Sequence, residues 1–300
     1  NLIIVEGIRT GNGNELDNTI TGNSGANTLG GWDGNDILHG LHGDDSLFGG
    51  TGSDVLMGGN GADYLDGDEG MDHHEGGAEN DGYVTEHAGD VAVEASGAGT
   101  DQVQTTASYT LSDNIENLFL MGGSAIDGSG NALDNYIAGN DGANVIHGFG
   151  GLGYILPAGG NETLIGGPSD DKYVVNATSG TDVVDNTGGG FDGVFFTDGI
   201  TAENLSFARD GNDLLISVDN AATPAVRVVN HFLGGDAAID YVQPDGGFYL
   251  NTAQINQLVA GGGTGFDQVI EGTAAGEQLV GGSGKDLIKG LAGADQLFGL

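Results

Sequence analysis

The sequence predicts an all-β chain: a solenoid of stacked coils in tandem units, with a small β-rich accessory or capping segment. Three observations predict it. Glycine opens every ninth residue from Gly13 to Gly76, an amide or acidic residue follows five places later, and in six of the eight blocks an aliphatic follows two places after that.

Residues 13–84 divide into eight blocks of nine that open at Gly13, Gly22, Gly31, Gly40, Gly49, Gly58, Gly67 and Gly76. The sixth position reads Asn18, Asn27, Asp36, Asp45, Asp54, Asp63, Asp72 and Asp81, and the eighth reads Ile20, Leu29, Leu38, Leu47, Leu56, Leu65, His74 and Tyr83. The fourth is glycine from Gly25 to Gly70. Glycines in the first six positions let the chain turn sharply. The last three positions form a short strand, in which only the middle side chain points inward. That accounts for one inward aliphatic per block. Each block is then half a coil. Asp36, Asp54 and Asp72 line one side of the stack, and Asp45, Asp63 and Asp81 line the other.

One block, Gly49 to Met57, reads G-G-T-G-S-D-V-L-M and fits the nonapeptide G-G-x-G-x-D-x-U-x. On these residues the chain resembles the RTX (repeats-in-toxin) family of secreted bacterial proteins. The resemblance implies a right-handed parallel β-roll that binds calcium between stacked turns, continuing elsewhere as a parallel β-helix.

The spacing has a physical reason to want a cation. Strands stack about 4.8 Å apart, so facing carboxylates repel by roughly 3 kcal/mol per pair at an effective dielectric near 20. Calcium reverses that sign, because it takes six to eight oxygens from carboxylates and backbone carbonyls. Each ion is expected between two turns, with one Asp from each. The strongest pairs are Asp36/Asp54, Asp54/Asp72, Asp45/Asp63 and Asp63/Asp81. Asn18 and Asn27 offer only a neutral oxygen and are expected as weaker ligands. Several Ca2+ ions are therefore expected, most of them in residues 22–84.

Composition narrows the function classes. Against 44 acidic residues stand 6 basic ones, a formal charge of −38, which excludes phosphate-driven nucleic-acid binding and attraction to anionic lipid. With 38% apolar residues and a strict period, the chain is expected to fold once cations arrive rather than stay disordered. There is no cysteine, so metal stands in place of disulfides as a staple. No apolar run approaches the length of a membrane helix, and no leader or lipidation signal is read. The resemblance implies export by a type I route with a C-terminal signal, which is not evident here. The chain opens inside a strand-like run at Asn1 and stops inside a repeat at Leu300, so a piece of a longer protein is expected.

Residues 1–84 read as a first roll, with Leu2 to Val5 as the strand of an earlier coil. Its last blocks degrade, with His74 inward and Glu79 replacing the fourth glycine. His73-His74-Glu75 invites a metalloprotease reading, but H-E-x-x-H is absent and a frayed final repeat is expected. Residues 85–129 read as longer coils, with strands near Val91–Val93, Gln102–Gln104 and Ile115–Leu120. Residues 130–174 form a second, degenerate roll whose metal positions are Asn135, Asn144, Gly153, Glu162 and Asp171. With so few charges it is expected to hold zero to two ions, Asp171 among the ligands. Residues 173–196 repeat the longer-coil theme at Tyr173–Val175, Asp182–Val184 and Asp192–Phe196, and the unit of residues 175–271 continues from there into the accessory segment. That segment is similar to the haemolysin-type region found beside RTX repeats. Within it Asp210-Gly211-Asn212-Asp213 reads as a hairpin turn between Leu205–Phe207 and Leu214–Ile216. Val226–Val229 and Phe248–Leu250 read as strands, and Thr252 as the cap of a helix over 253–259. Residues 272–300 start a third roll, truncated, with Glu277, Asp286 and Asp295 at the metal position and Asp286 and Asp295 on opposite sides.

No G-x-S-x-G elbow, P-loop or dinucleotide fingerprint is present, and the paired carboxylates keep the nine-residue phase of calcium ligands. A non-enzymatic, calcium-dependent extracellular module is therefore expected, secreted or attached to the cell surface, with a scaffold or adhesin-like role. The alternative is the non-catalytic part of a secreted enzyme of protease, lipase or alginate-epimerase type, for secretion or polysaccharide binding. Expected partners beyond calcium are polysaccharide or a cell-surface matrix, and self-association through open coil edges.

Overall fold

One inward side chain per half-coil builds the molecule. Ile20, Leu38, Leu56, His74 and Ala92 stand in register on one wall. Leu29, Leu47, Leu65, Tyr83, Val103, Leu118, Ile137, Ile155, Tyr173 and Val194 stand in register on the facing wall. All of these side chains are buried. Burying each large aliphatic contributes about 1.5 to 3 kcal/mol, so the column is the core. The computed structural model describes residues 1–176, 179–246, 249–262, 268–281, 286–290, 292 and 294–298.

Among the described residues, the walls are parallel sheets through the coils. One has six strands, from Leu2–Ile3 to Val91–Val93, and its partner has thirteen, from Thr10–Asn12 to Leu250–Asn251, the last of which pairs antiparallel with Tyr241–Gln243. Successive coils of the first roll step by 18 residues: Leu29 pairs with Leu47, and Leu38 with Leu56. Beyond Val93, where the six-stranded sheet ends, an eight-stranded sheet begins at Tyr109–Thr110. The chain is thus an all-β solenoid of about fifteen turns, as the repeat predicts.

The strands of the first roll are longer than the expected three residues. Ser46–Gly52 and Tyr64–Gly70 each run to seven. The extra length lies in the turns, where Gly34 N donates to Thr51 O and Gly43 N to Asn60 O. Turn stacks on turn, which satisfies backbone groups that an isolated loop would leave to water. The turns demand left-handed backbone, and Gly34 has φ 118°. At the second position Trp32 (φ 84°) and Leu41 (φ 85°) adopt it despite their side chains, as does Glu79 (φ 83°) in place of the fourth glycine. The degraded block therefore keeps the coil shape. His74 fills the aliphatic slot, fully buried, and burial pushes its imidazole down to about 4, so it packs as a neutral ring.

The accessory segment holds the antiparallel pairing. Leu205–Asp210 and Asp213–Val218 form the expected hairpin, and Val226–Val228 joins it. Arg227 bonds both Asp210 and Asp213, so a guanidinium supplies the positive charge at that turn. The α-helix runs over Thr252–Ala260, one residue longer at each end than expected. Its cap is Asn251 rather than Thr252: Asn251 Oδ1 accepts from Gln254 N, and the Gln254 side chain bonds back to Asn251 N. Thr252 instead donates its hydroxyl to Ile239 O at 2.8 Å. Of the strand expected at Phe248–Leu250, Leu250 lies in Leu250–Asn251 and Phe248 is outside the described residues. No helix among the described residues is long and apolar enough to cross a membrane.

Candidate metal centre

The 18-residue step places each sixth-position residue directly over the one two blocks away, and the backbone then orients the carboxylates. On one side Asp36 Oδ1 accepts from Asn18 N at 2.6 Å, Asp54 Oδ1 from Asp36 N at 2.6 Å, and Asp72 Oδ1 from Asp54 N at 2.8 Å. On the other side Asp45 Oδ1 accepts from Asn27 N at 2.6 Å, Asp63 Oδ1 from Asp45 N at 2.7 Å, and Asp81 Oδ1 from Asp63 N at 2.7 Å. Each Asp is therefore held by one oxygen. The other oxygen, Oδ2, is buried in all six and has no hydrogen-bond partner.

The free oxygens share a direction. A Cβ placed on Gly31 would lie 2.1 Å from Asp36 Oδ2 and 2.6 Å from the Gly49 carbonyl oxygen. The same holds at Gly40 for Asp45 Oδ2 (2.3 Å) and Gly58 O (2.6 Å), and at Gly49 for Asp54 Oδ2 (2.4 Å) and Gly67 O (2.7 Å). At Gly58 the neighbours are Asp63 Oδ2 (2.2 Å) and Gly76 O (2.7 Å). A carboxylate oxygen and a carbonyl oxygen thus converge beside a glycine, with no donor between them. The first glycine of each block is a cradle wall that a side chain would fill. A site of oxygens alone, carrying negative charge and lacking donors, fits a hard divalent cation such as calcium.

Electrostatics says the same. With no cation bound, burial, reinforced by neighbouring carboxylates, pushes Asp45 and Asp54 up to about 6, Asp63 and Asp72 to about 7, and Asp81 to about 8. Asp36 is also raised, chiefly by burial. The interior resists these charges unless something positive joins them.

The asparagines behave differently. Asn18 Oδ1 accepts from Asn14 N, and Asn27 Oδ1 from Asn23 N, both at 2.8 Å. Asn27 Nδ2 also donates to Ile8 O. In the second roll Asn135 Oδ1 accepts from Asn131 N while its amide donates to the carbonyls of Ile115 and Glu116. Asn144 repeats this with Asn140 N and Ile126 O. A neutral amide N–H there meets the carbonyls. Asp171 is satisfied at both oxygens, by Gly153 N at 2.8 Å and Gly167 N at 2.6 Å. The exception in that roll is Glu162, buried against Asp182, with neither of its oxygens partnered. Burial, then the Asp182 carboxyl beside it, drives its proton affinity up.

In the third roll Asp295 Oδ1 accepts from Glu277 N at 3.1 Å, so the ladder reappears. Both oxygens of Asp286 lack partners; Asp286 opens a strand that pairs with Gln268–Glu271, whereas Asp295 immediately precedes a strand of the other sheet, which pairs with Gln278–Val280.

Sequence reading missed Asp90, Glu94, Asp101, Glu116, Asp182 and Asp192. Asp90 lies 18 residues past Asp72, and counting on by one more coil finds it. Its carboxylate is filled by Glu86 N, His87 N and Asp72 N, which ends that row with protein donors. Asp101, Asp182 and Asp192 lie 20 or 21 residues after their partners Asp81, Glu162 and Asp171, so the nine-residue phase conceals them.

A family model for the RTX calcium-binding nonapeptide repeat matches in four copies, at residues 12–47, 43–73, 129–151 and 271–300. Among solved structures the chain is similar to the extracellular lipase LipA from Serratia marcescens, at 14% identity and a TM-score of 0.25. That match covers 72% of this chain and 36% of the lipase chain, so this chain spans about a third of that protein's length. Motif, coil geometry and family model agree: this chain carries the RTX calcium-binding nonapeptide repeat.

Proposed function

We propose that this chain is a calcium-dependent extracellular structural module, which folds on binding calcium after export and serves as a scaffold or adhesin-like surface segment. The observation that carries this reading is the double row of buried, unpartnered Asp Oδ2 atoms from Asp36 to Asp81. Folding brings these oxygens together, and a cation makes the assembly favourable, so binding free energy is folding free energy.

Magnitudes agree with that role. Extracellular sites bind calcium with dissociation constants of about 0.1 to 1 mM, so calcium near 10 mM contributes about 1.4 to 2.7 kcal/mol per independent site. Four such sites supply about 6 to 11 kcal/mol, comparable with the 5 to 15 kcal/mol that holds a typical domain. At cytosolic calcium that contribution vanishes and the chain stays unfolded, a form suited to a narrow export channel. The solenoid then acts as a stiff spacer.

Far-ultraviolet circular dichroism tests this. At pH 7 the β spectrum is expected in calcium and is expected to be lost when calcium is stripped. A β spectrum that survives calcium removal unchanged overturns the reading.

A further inference from the structure

We propose that Asp81, Glu94 and Asp101 form a calcium site of a second kind, which closes the row running through Asp45 and Asp63 and holds its ion more tightly than the repeat sites. This rests on the calcium reading above and adds a ligand, Glu94, that the nonapeptide does not contain.

The repeat sites each use an opening glycine's carbonyl from the coil above. Glu94 lies 18 residues after Gly76, where the next opening glycine would fall. The chain there has left the nine-residue pattern, and a carboxylate replaces the carbonyl. A Cβ on Gly76 would sit 2.4 Å from both Asp81 Oδ2 and Glu94 Oε1, and 2.1 Å from the Tyr83 hydroxyl. Asp81, Glu94 and Asp101 each bring one oxygen within 4.8 Å of the others.

Two further observations point to a ligand. Asp81 and Asp101 are 2% and 0% exposed, and the Oδ2 of each has no partner. Their other oxygens are engaged in positioning: Asp81 Oδ1 accepts from Asp63 N, and Asp101 Oδ1 from Asp81 N at 2.8 Å. Glu94 is aimed by a hydrogen bond from the Tyr83 hydroxyl to Oε1 and by Ala95 N at Oε2. The arrangement is built and inward-facing, unlike an exposed acidic patch.

Charge sets the ranking. A repeat site is expected to set one Asp from each of two turns beside a neutral carbonyl, whereas here a third carboxylate, Glu94, stands where the carbonyl would be. Affinity in oxygen-ligand calcium sites rises with the number of charged ligands. The closing site is therefore the first to fill and the last to empty. It also sits where 18-residue coils give way to a 20-residue one, at the junction between roll and longer coils.

Calorimetric calcium titration of the full chain tests this, using wild type, Glu94→Gln and Asp101→Asn, with circular dichroism in 10 mM calcium to establish folding. Either substitution is expected to remove one ion from the tightest class, or weaken that class by about tenfold or more, and leave the other classes in place. Tyr83→Phe, which keeps the ring and frees Glu94, is expected to weaken the same class. Unchanged stoichiometry and affinity in both carboxylate variants overturns the closing site while leaving the repeat sites standing. A wild-type chain that binds no calcium overturns both.

Discussion

Acidifying the calcium-free protein from pH 8 to about 4.5 is expected to restore β structure. An acid raised by folding holds its proton more tightly folded than unfolded. Asp45 and Asp54 are raised to about 6, Asp63 and Asp72 to about 7, and Asp81 to about 8, from an ordinary value of 3.8. The stability these groups lend is fully present below about pH 4 and is lost as pH rises through 6 to 8. A proton does part of what the cation does. In calcium the sign reverses, because protons now compete with the ion, and the calcium concentration for half-folding is expected to rise as pH falls from 8 to 5. Acid also relieves the general repulsion of a chain at −38, so a control is needed. A triple variant Asp54→Asn, Asp63→Asn and Asp72→Asn keeps most of the surface charge and is expected to show a clearly smaller pH response. Circular dichroism of resin-stripped protein checks both. Stripped wild type that is less structured at pH 5 than at pH 8 would show that protonation of these aspartates does not stabilise the fold.

Gly58→Ala is expected to abolish one calcium site without altering any charge. Gly58 does not occupy the left-handed region, so alanine fits the backbone. Its methyl would sit 2.2 Å from Asp63 Oδ2 and 2.7 Å from Gly76 O, in the cradle itself. Overpacking costs about 1 to 3 kcal/mol, and the lost ion about 1.4 to 2.7 kcal/mol more in 10 mM calcium. Gly82→Ala is the matched control: it lies in the same roll, and its nearest neighbour would be Gln102 Nε2 at 3.5 Å. That variant is expected to be neutral or slightly stabilising. Thermal melts with calcium counting separate them. Equal ion counts and equal melting temperatures in the two variants contradict the cradle.

The first roll was legible because one period carries both its core and its ligands. Leu29, Leu47 and Leu65 face inward for the same reason that Asp45, Asp63 and Asp81 stack, namely an 18-residue coil. Legibility fails where coil length changes. Asp101 answers to Asp81 across 20 residues and Asp192 to Asp171 across 21, and no fixed phase finds them. Glu94 was invisible for another reason: it replaces a backbone carbonyl, and a motif written in side chains does not register that exchange. The asparagines show what spacing alone cannot convey. Asn135 keeps the position of Asp45 yet turns an amide donor toward the carbonyls of Ile115 and Glu116. The helix cap moved by one residue because Asn251 finds Gln254 three places on. The Thr252 hydroxyl is instead engaged by the carbonyls of Ile239 and Asp240.

Crystals grown in calcium and measured for calcium's anomalous scattering show directly whether the paired rows hold ions. Anomalous peaks are expected about 2.3 to 2.6 Å from the Oδ2 atoms of Asp36, Asp45, Asp54 and Asp63 and from the carbonyl oxygens of Gly49, Gly58, Gly67 and Gly76. None is expected beside the amides of Asn135 and Asn144. Those four aspartates bonded to water or protein donors in calcium-grown crystals, with no anomalous peak near them, would show that the rows are not calcium sites.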